Sequence, residues 1–250
     1  DEVRFVPRVG RFAYARKYGK QTDVIEFYAP KIIIEGINLE RFISEEKIEA
    51  RTIKLTRPHI ETFRDKRIKE DTTVVKLMPQ ELMEQAAQVL EADTLIIEDG
   101  GLRYTEFPKK GMVPGEIAFS HLNAKMYPFR IGEFGEDRKK PQVEASFLIN
   151  EAADLNVSLS MSFEDPYPIF VKANVGAFEL PVINSILASN AFVKVERGTI
   201  NGGDWEFVLD KHHAIGEMTL RYKKLKVRLL EERTPEDAGG RKGILTFVIN

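Results

Sequence analysis

Four histidines, His59, His121, His212 and His213, are the first residues to weigh as metal ligands or proton carriers. The last two are adjacent, and neighbouring side chains on a strand point to opposite faces, which is poor geometry for a shared metal. They lie in Leu209-Asp210-Lys211-His212-His213-Ala214, which reads as a hairpin turn. The carboxylate pairs Glu98-Asp99 and Glu164-Asp165 could supply a glycosidase acid and its nucleophile or base, but such groups must face each other across a cleft. Both pairs fall in turn-like sequence, where acids are common for conformational reasons. No Gly-x-Ser-x-Gly elbow and no P-loop occurs. Gly100-Gly101 and Gly202-Gly203 open no helix and read as strand corners, not phosphate cradles. The chain has no cysteine, which excludes a disulfide framework, a thiolate zinc site and a cysteine nucleophile. Trp205, Tyr104 and Tyr222 could stack on a sugar, although aromatics on strands more commonly form core or cross-strand pairs. These residues point to a non-enzymatic protein with no cofactor and no metal.

A different chemistry needs no reactive group. Val157, Leu159, Met161 and Phe163 alternate with polar residues, and Val171, Ala173 and Val175 do the same on the next segment. Such a dry surface could line a groove for lipid acyl chains, at on the order of 0.8 kcal/mol per buried CH₂. The same residues could equally face the interior of an ordinary sandwich or barrel, because alternation does not separate a filled interior from an open one.

The elements that would position these residues are strands. Strict period two over 157–163, and again over 169–177 after the turn-like Glu164-Asp165-Pro166-Tyr167-Pro168, indicates strands with one apolar and one wet face. Trp205, Phe207 and Leu209 form a third alternating set, and Val143, Ala145, Phe147 and Ile149 a fourth. Val24, Ile25, Phe27 and Tyr28 with Ile32 and Ile34 suggest an early hairpin or pair of strands. Two helices are expected. One covers 79–90, with Pro79 early and Leu82, Ala86 and Val89 or Leu90 at helical spacing. The other runs from Leu180 to about Ser189, with Pro181 in its first turn. The charged, glycine-bearing stretches 135–141 and 234–242 read as exposed loops.

The helix, strand, glycine corner, strand order occurs twice, over approximately 80–127 and 179–230. Glu98-Asp99-Gly100-Gly101 corresponds to Glu196-Arg197-Gly198, and Gly115-Glu116-Ile117 to Gly216-Glu217-Met218. Thr52 to Thr62 is a weaker copy with Pro58 at the corner. Glycine or proline at such a corner permits a bend or bulge, and repeated units of this kind bury their apolar faces by stacking side by side.

The bulk composition agrees with a folded β protein. The 250 residues suffice for one large all-β domain or two smaller ones. A hydrophobic share of 43% with 30% charged residues suits a folded chain and not a disordered one. A net charge of −2, with short basic clusters flanked by acids, offers no basic stripe for nucleic acid. No apolar run approaches the roughly 20 residues that span a bilayer, and no signal peptide is visible. The chain starts without methionine and ends directly after a strand-like run, so it reads as a fragment or a processed form.

The runs Phe178-Glu179-Leu180-Pro181-Val182-Ile183-Asn184, Val193-Lys194-Val195-Glu196-Arg197-Gly198-Thr199-Ile200 and Ala214-Ile215-Gly216-Glu217-Met218-Thr219-Leu220-Arg221-Tyr222 resemble the C-terminal region of AsmA-like proteins. The resemblance extends over most of the chain from about Asp23 and includes Leu102 to Phe119 and Arg51 to Phe63. It is similar more narrowly to AsmA-related envelope proteins of Bacteroidetes. The resemblance implies a mainly β fold: a curved, largely antiparallel extended sheet, shaped like a taco shell with an open groove, and two short α-helices. It implies a periplasmic body, tethered in the full-length parent by an inner-membrane helix absent from this chain. It implies a role in outer-membrane biogenesis, with phospholipid or another acyl-chain lipid carried in the groove and envelope proteins as possible partners. The alternative is a structural or protein-interaction β-scaffold of the envelope with no lipid ligand. The chain is short for a bridge across the periplasm, which fits one module of a longer protein.

Overall fold

The computed structural model describes residues 2–73, 76–111, 113–133, 139–230 and 246–249. It is mainly β, with 56% strand against 15% helix, in one large mixed sheet that does not close on itself. The first part of the chain forms β1 (Val3–Phe5), α1 (Arg11–Tyr18), β2 (Val24–Ala29), β3 (Lys31–Glu35), α2 (Leu39–Glu45), β4 (Ile48–Thr56), β5 (His59–Asp65) and α3 (Pro79–Glu84). The long strands β6 (Leu90–Phe107) and β7 (Gly115–Tyr127) follow, then β8 (Phe129–Ile131), β9 (Gln142–Ile149), β10 (Ala153–Met161), β11 (Ile169–Val175) and β12 (Phe178–Glu179). After an irregular helical strap over residues 180–191 come β13 (Val193–Leu209), β14 (Ala214–Leu229) and β15 (Thr246–Ile249).

The main path across the sheet is β1-β2-β5-β6-β7-β9-β10-β11-β13-β14-β15. Almost every pairing is antiparallel. The exceptions are β4 and β5, which run parallel to successive halves of β6. These two are one strand line interrupted at Arg57-Pro58, where Arg57 takes φ 51°. Of the two readings of the early apolar residues, the pair of strands is the one found, and the hairpin is not. β2 pairs with β5 and β3 with β4, so the two lie end to end around Pro30.

The expected glycine corners are bulges inside continuous strands. β6 passes through Glu98-Asp99-Gly100 with register shifts against β7, and β13 passes through Glu196-Arg197-Gly198 with shifts against β14. Each of these two hairpins is preceded by a short helical piece, α3 before β6 and the strap before β13.

Period two delivers the core. Residues directly opposite one another share a face, so the pairings give an apolar row Ile97–Ala124–Ala145–Val157–Ala173–Trp205 and, beside it, Leu95–Met126–Val143–Leu159–Val171–Phe207. The alternate positions form the opposite, polar face. At one end of the apolar face α3 packs Met78 and Met83 against Met126, Met161, Ile169 and Val171. At the other end the strap adds Leu180 beside Leu155, Val175 and Ile200.

Two helices absent from the sequence expectation are present, α1 and α2. Phe12 of α1 stacks edge-on against Phe63, with ring centroids 4.9 Å apart, and also meets Phe107. Asn38 caps α2 by accepting a hydrogen bond from the Arg41 N–H. The helix expected over 79–90 stops at Glu84, and β6 begins at Leu90. Residues 134–138 and 231–245, which contain most of the two expected loops, lie outside the described residues. Among the described residues no helix is long and apolar enough to cross a membrane.

Candidate functional site

The seven expected lipid-lining residues all belong to the apolar face or its margin; Met161, Phe163, Val171, Ala173 and Val175 are buried, and Val157 and Leu159 are half-buried. Val157, Leu159, Met161 and Val171 belong to the cluster closed by α3. Val175 belongs to the cluster closed by the strap, and Val157 touches that one too. Phe163 is 2% exposed, Val171 8% and Ala173 7%. The two covers are held by specific bonds. Gln80 donates to the Tyr167 carbonyl at 2.6 Å, and the Gly132 N–H donates to the Met83 carbonyl at 2.7 Å. On the strap, Asn184 both donates to and accepts from the Val195 backbone at 2.8 Å. Asn150 donates to the Val182 carbonyl at 2.9 Å, the Glu116 N–H to Ser185 Oγ at 3.0 Å, and Asn190 to Glu106 at 2.7 Å. The strap thereby ties β13 to β7 and β6 across the end of the intervening strands.

A concavity of about 890 Å³ is lined by polar residues of the other face and by the row Ile97–Ala124–Ala145–Val157–Ala173–Trp205. Two cross-strand rows form its floor. The first runs Lys125–Glu144–Ser158–Lys172–Glu206–Glu217 and the second Asn123–Ser146–Asn156–Asn174–Asp204–Thr219. Several of its polar groups are paired. Asn156 donates to Asn174 Oδ1 at 3.2 Å, Lys172 pairs with Glu206 at 3.2 Å and Arg221 with Asp204 at 2.9 Å. At the rim Tyr127 donates to Glu144 at 2.9 Å, and this bond to an anion raises the phenol pKa. A contiguous hollow of about 310 Å³ exposes Phe170 and Val208 beside Tyr127 and Ser160.

The residues weighed for catalysis are scattered, with one exception. Asp99 and His121, opposite each other on the bulges of β6 and β7, come within 2.9 Å, and both have positive φ. Asn123 locks this corner by accepting from the Asp99 N–H and donating to the His121 carbonyl. Sequence reading misses the pair because it treats Asp99 with Glu98, whose side chain instead reaches Lys54 at 2.5 Å. Both members are more than half exposed, and such a pair is worth about 0–1 kcal/mol. Asp165 reaches Lys211 at 3.3 Å, away from the groove floor. His212 and His213 sit on the β13–β14 turn, where both backbone N–H groups donate to Asp210 Oδ1. Trp205 is in the apolar cluster and Tyr104 is bonded to Glu106, so the three aromatics build no platform. Among the described residues no group of three or more His, Asp and Glu side chains is placed to hold a metal.

The carboxylates with displaced pKa values, Glu45, Asp65, Asp71, Glu81, Glu196 and Asp210, all move downward. Hydrogen bonds and nearby cations hold them ionised, whereas a general acid working near neutrality needs an upward shift. None of these six lines the groove, which offers the Lys172–Glu206 pair and the Asn156–Asn174 hydrogen bond to a surface laid along it. In comparisons with known proteins, no family model matches the chain and no curated protein matches it.

Proposed function

We propose that this chain is a non-enzymatic β-scaffold of the bacterial cell envelope, a module of AsmA-like type that docks protein rather than conveying lipid. The envelope setting rests on the resemblance carried by residues 178–222. The choice of scaffold over lipid carrier rests on one observation: the apolar face is covered by protein at both of its ends. Val171 is buried in the cluster under α3 and Val175 in the cluster under the strap, and Ala173 between them is 7% exposed. An acyl chain entering there would have to displace side chains whose burial contributes about 1.5–3 kcal/mol each. The open surface is a polar groove of internally paired charges, which suits protein contact.

A lipid role keeps one specific foothold. At β14 the apolar face emerges from its cover, with Met218 beside Trp205 and Phe207 around a hollow of about 290 Å³. An acyl segment could lie there without entering the core.

Ala173→Trp separates the two readings. In a filled core the indole overpacks the site and destabilises the fold by about 1–3 kcal/mol. A variant that keeps the wild-type melting temperature, with room for the indole, contradicts the scaffold reading and supports an open lipid channel.

A further inference from the structure

The outer edge of β14 is self-complementary, and we propose that two copies of this chain join there, β14 against β14 in antiparallel register about Thr219, to make one continuous sheet. The inference deepens the scaffold reading by naming its partner.

Among the described residues β15 pairs only with Leu225–Arg228. From Ala214 to Lys224 no described strand lies on the outer side of β14, and every residue of this stretch is exposed. Unpaired edges are normally blunted by shortness, proline or inward charge. The opposite edge, β1, is three residues long. β14 is instead long, and it displays Ile215 at 73% and Met218 at 64% exposure. Its lysines, Lys223, Lys224 and Lys226, are confined to one end.

A two-fold axis at Thr219 sets Met218 opposite Leu220 of the second copy, and Leu220 opposite its Met218. These residues extend the apolar face beyond Trp205 and Gly203, their neighbours on β13. The same axis sets Glu217 opposite Arg221 and Arg221 opposite Glu217, on the polar face. Within one chain Glu217 lies directly across from Glu206, a like-charge juxtaposition that disfavours the pair. The second copy's guanidinium would neutralise it. Gly216, whose missing Cβ leaves room for Phe207 on β13, would face Tyr222, so an aromatic ring would cover the bare backbone. Shifting the axis by one residue toward Met218 puts Glu217 opposite Thr219 and loses both ion pairs; shifting it toward Leu220 puts Glu217 opposite Lys223 but sets Gly216 against Lys224, so the bare backbone loses its aromatic cover. Main-chain hydrogen bonds would supply the adhesion, and these side-chain pairs the register.

Charge reversal with mixing tests the proposal on the full chain by sedimentation velocity, from micromolar to hundreds of micromolar. The wild type is expected to show a monomer–dimer equilibrium. Glu217→Arg and Arg221→Glu each set like charges opposite in the homodimer, and each should weaken self-association about tenfold or more. Mixed one to one, they regain both opposite-charge pairs and should dimerise. The Glu217→Arg chain should melt no lower than wild type, since the new cation faces Glu206 within its own chain.

Register is tested separately, because the chain has no native cysteine. Thr219→Cys should cross-link on mild oxidation and Ile215→Cys should not, since Ile215 faces Lys223 of the second copy. A wild type monomeric throughout, a mixture that fails to associate, or equal cross-linking at both positions overturns the proposal. None of these results bears on whether the apolar face is covered, so the scaffold reading is tested separately, by Ala173→Trp and by lipid content.

Discussion

Glu81 and Lys211 join the first turn of α3 to the β13–β14 turn: carboxylate and ammonium lie 2.8 Å apart, with Glu81 almost wholly covered. Glu81 also accepts a hydrogen bond from the Met78 N–H at 2.8 Å, which closes the start of the helix. The ammonium of Lys211 sits 4.5 Å from the centre of the Tyr167 ring and 3.3 Å from Asp165. One contact thus pins the lid over the apolar face to a hairpin turn more than a hundred residues away in sequence.

This contact makes the lid acid-sensitive. Burial pushes the Glu81 carboxyl upward, but the bonds from Lys211 and the Met78 N–H outweigh it and hold the group below its ordinary value of 4.5. A depressed carboxylate contributes stability that is fully present above its unfolded pKa and lost as pH falls through the folded one. Thermal melts should therefore be flat with pH above about 5 and decline below it. Glu81→Gln should lower the melting temperature at neutral pH and flatten the acid decline. An unchanged acid limb would mean that the bond does not hold the lid.

Asp65 supplies an independent acid-sensitive clasp. Two side-chain bonds from Arg67, at 2.8 and 2.7 Å, outweigh desolvation and lower its pKa from 3.8. The Arg67 guanidinium lies 3.5 Å from the centre of the Phe107 ring. Arg67→Met should keep the packing against Phe107 but release Asp65, so protection lost below the ordinary carboxylate range shifts to higher pH. Proton titration of the Asp65 side chain by NMR reads this directly.

Gly132 tests the seating of α3 from its other side. Its φ is +94°, and an added Cβ would lie 2.9 Å from the Val89 Cα and 2.6 Å from the Gln88 carbonyl oxygen. Its N–H holds the Met83 carbonyl at 2.7 Å. Gly132→Ala should cost more than about 1 kcal/mol, since it combines backbone strain with a clash. Hydrogen exchange should show the loss concentrated in α3 and β8.

Phe163, two residues beyond the end of β10, is 2% exposed. Phe163→Ala should destabilise by about 3–5 kcal/mol, the range for a deeply buried ring. A cost under 1 kcal/mol would indicate that the ring lines open space.

What the sequence disclosed follows from periodicity. The alternation at 157–163 and 169–175 predicts β10 and β11 with the correct residues inward, because a strand buried on one face must alternate. The helix expected over 79–90 overshoots: its apolar residues continue beyond Glu84, but Gly132 docks on Met83 and the backbone at Val89, and pairing with β4 draws Leu90 into β6. α1 escapes notice because Arg11–Tyr18 carries no apolar stripe, and only a tertiary contact, Phe12 on Phe63, commits it. The polar groove is illegible for a different reason. Ser158, Lys172 and Asn174 read simply as the wet side of two strands, and only the register across β7 to β14 assembles them into rows. Whether an apolar face is filled or open depends on what covers it, and α3 and the strap do so through long-range bonds that no local pattern encodes.

The most direct measurement is the lipid content of the folded protein. Native mass spectrometry of the chain, purified from a bacterial host under mild conditions and then incubated with phospholipid vesicles, should show protein free of phospholipid. Phospholipid retained in stoichiometric amount, together with paramagnetic broadening of the Val171 and Ala173 signals by a spin-labelled lipid, would contradict a covered interior and with it the scaffold account.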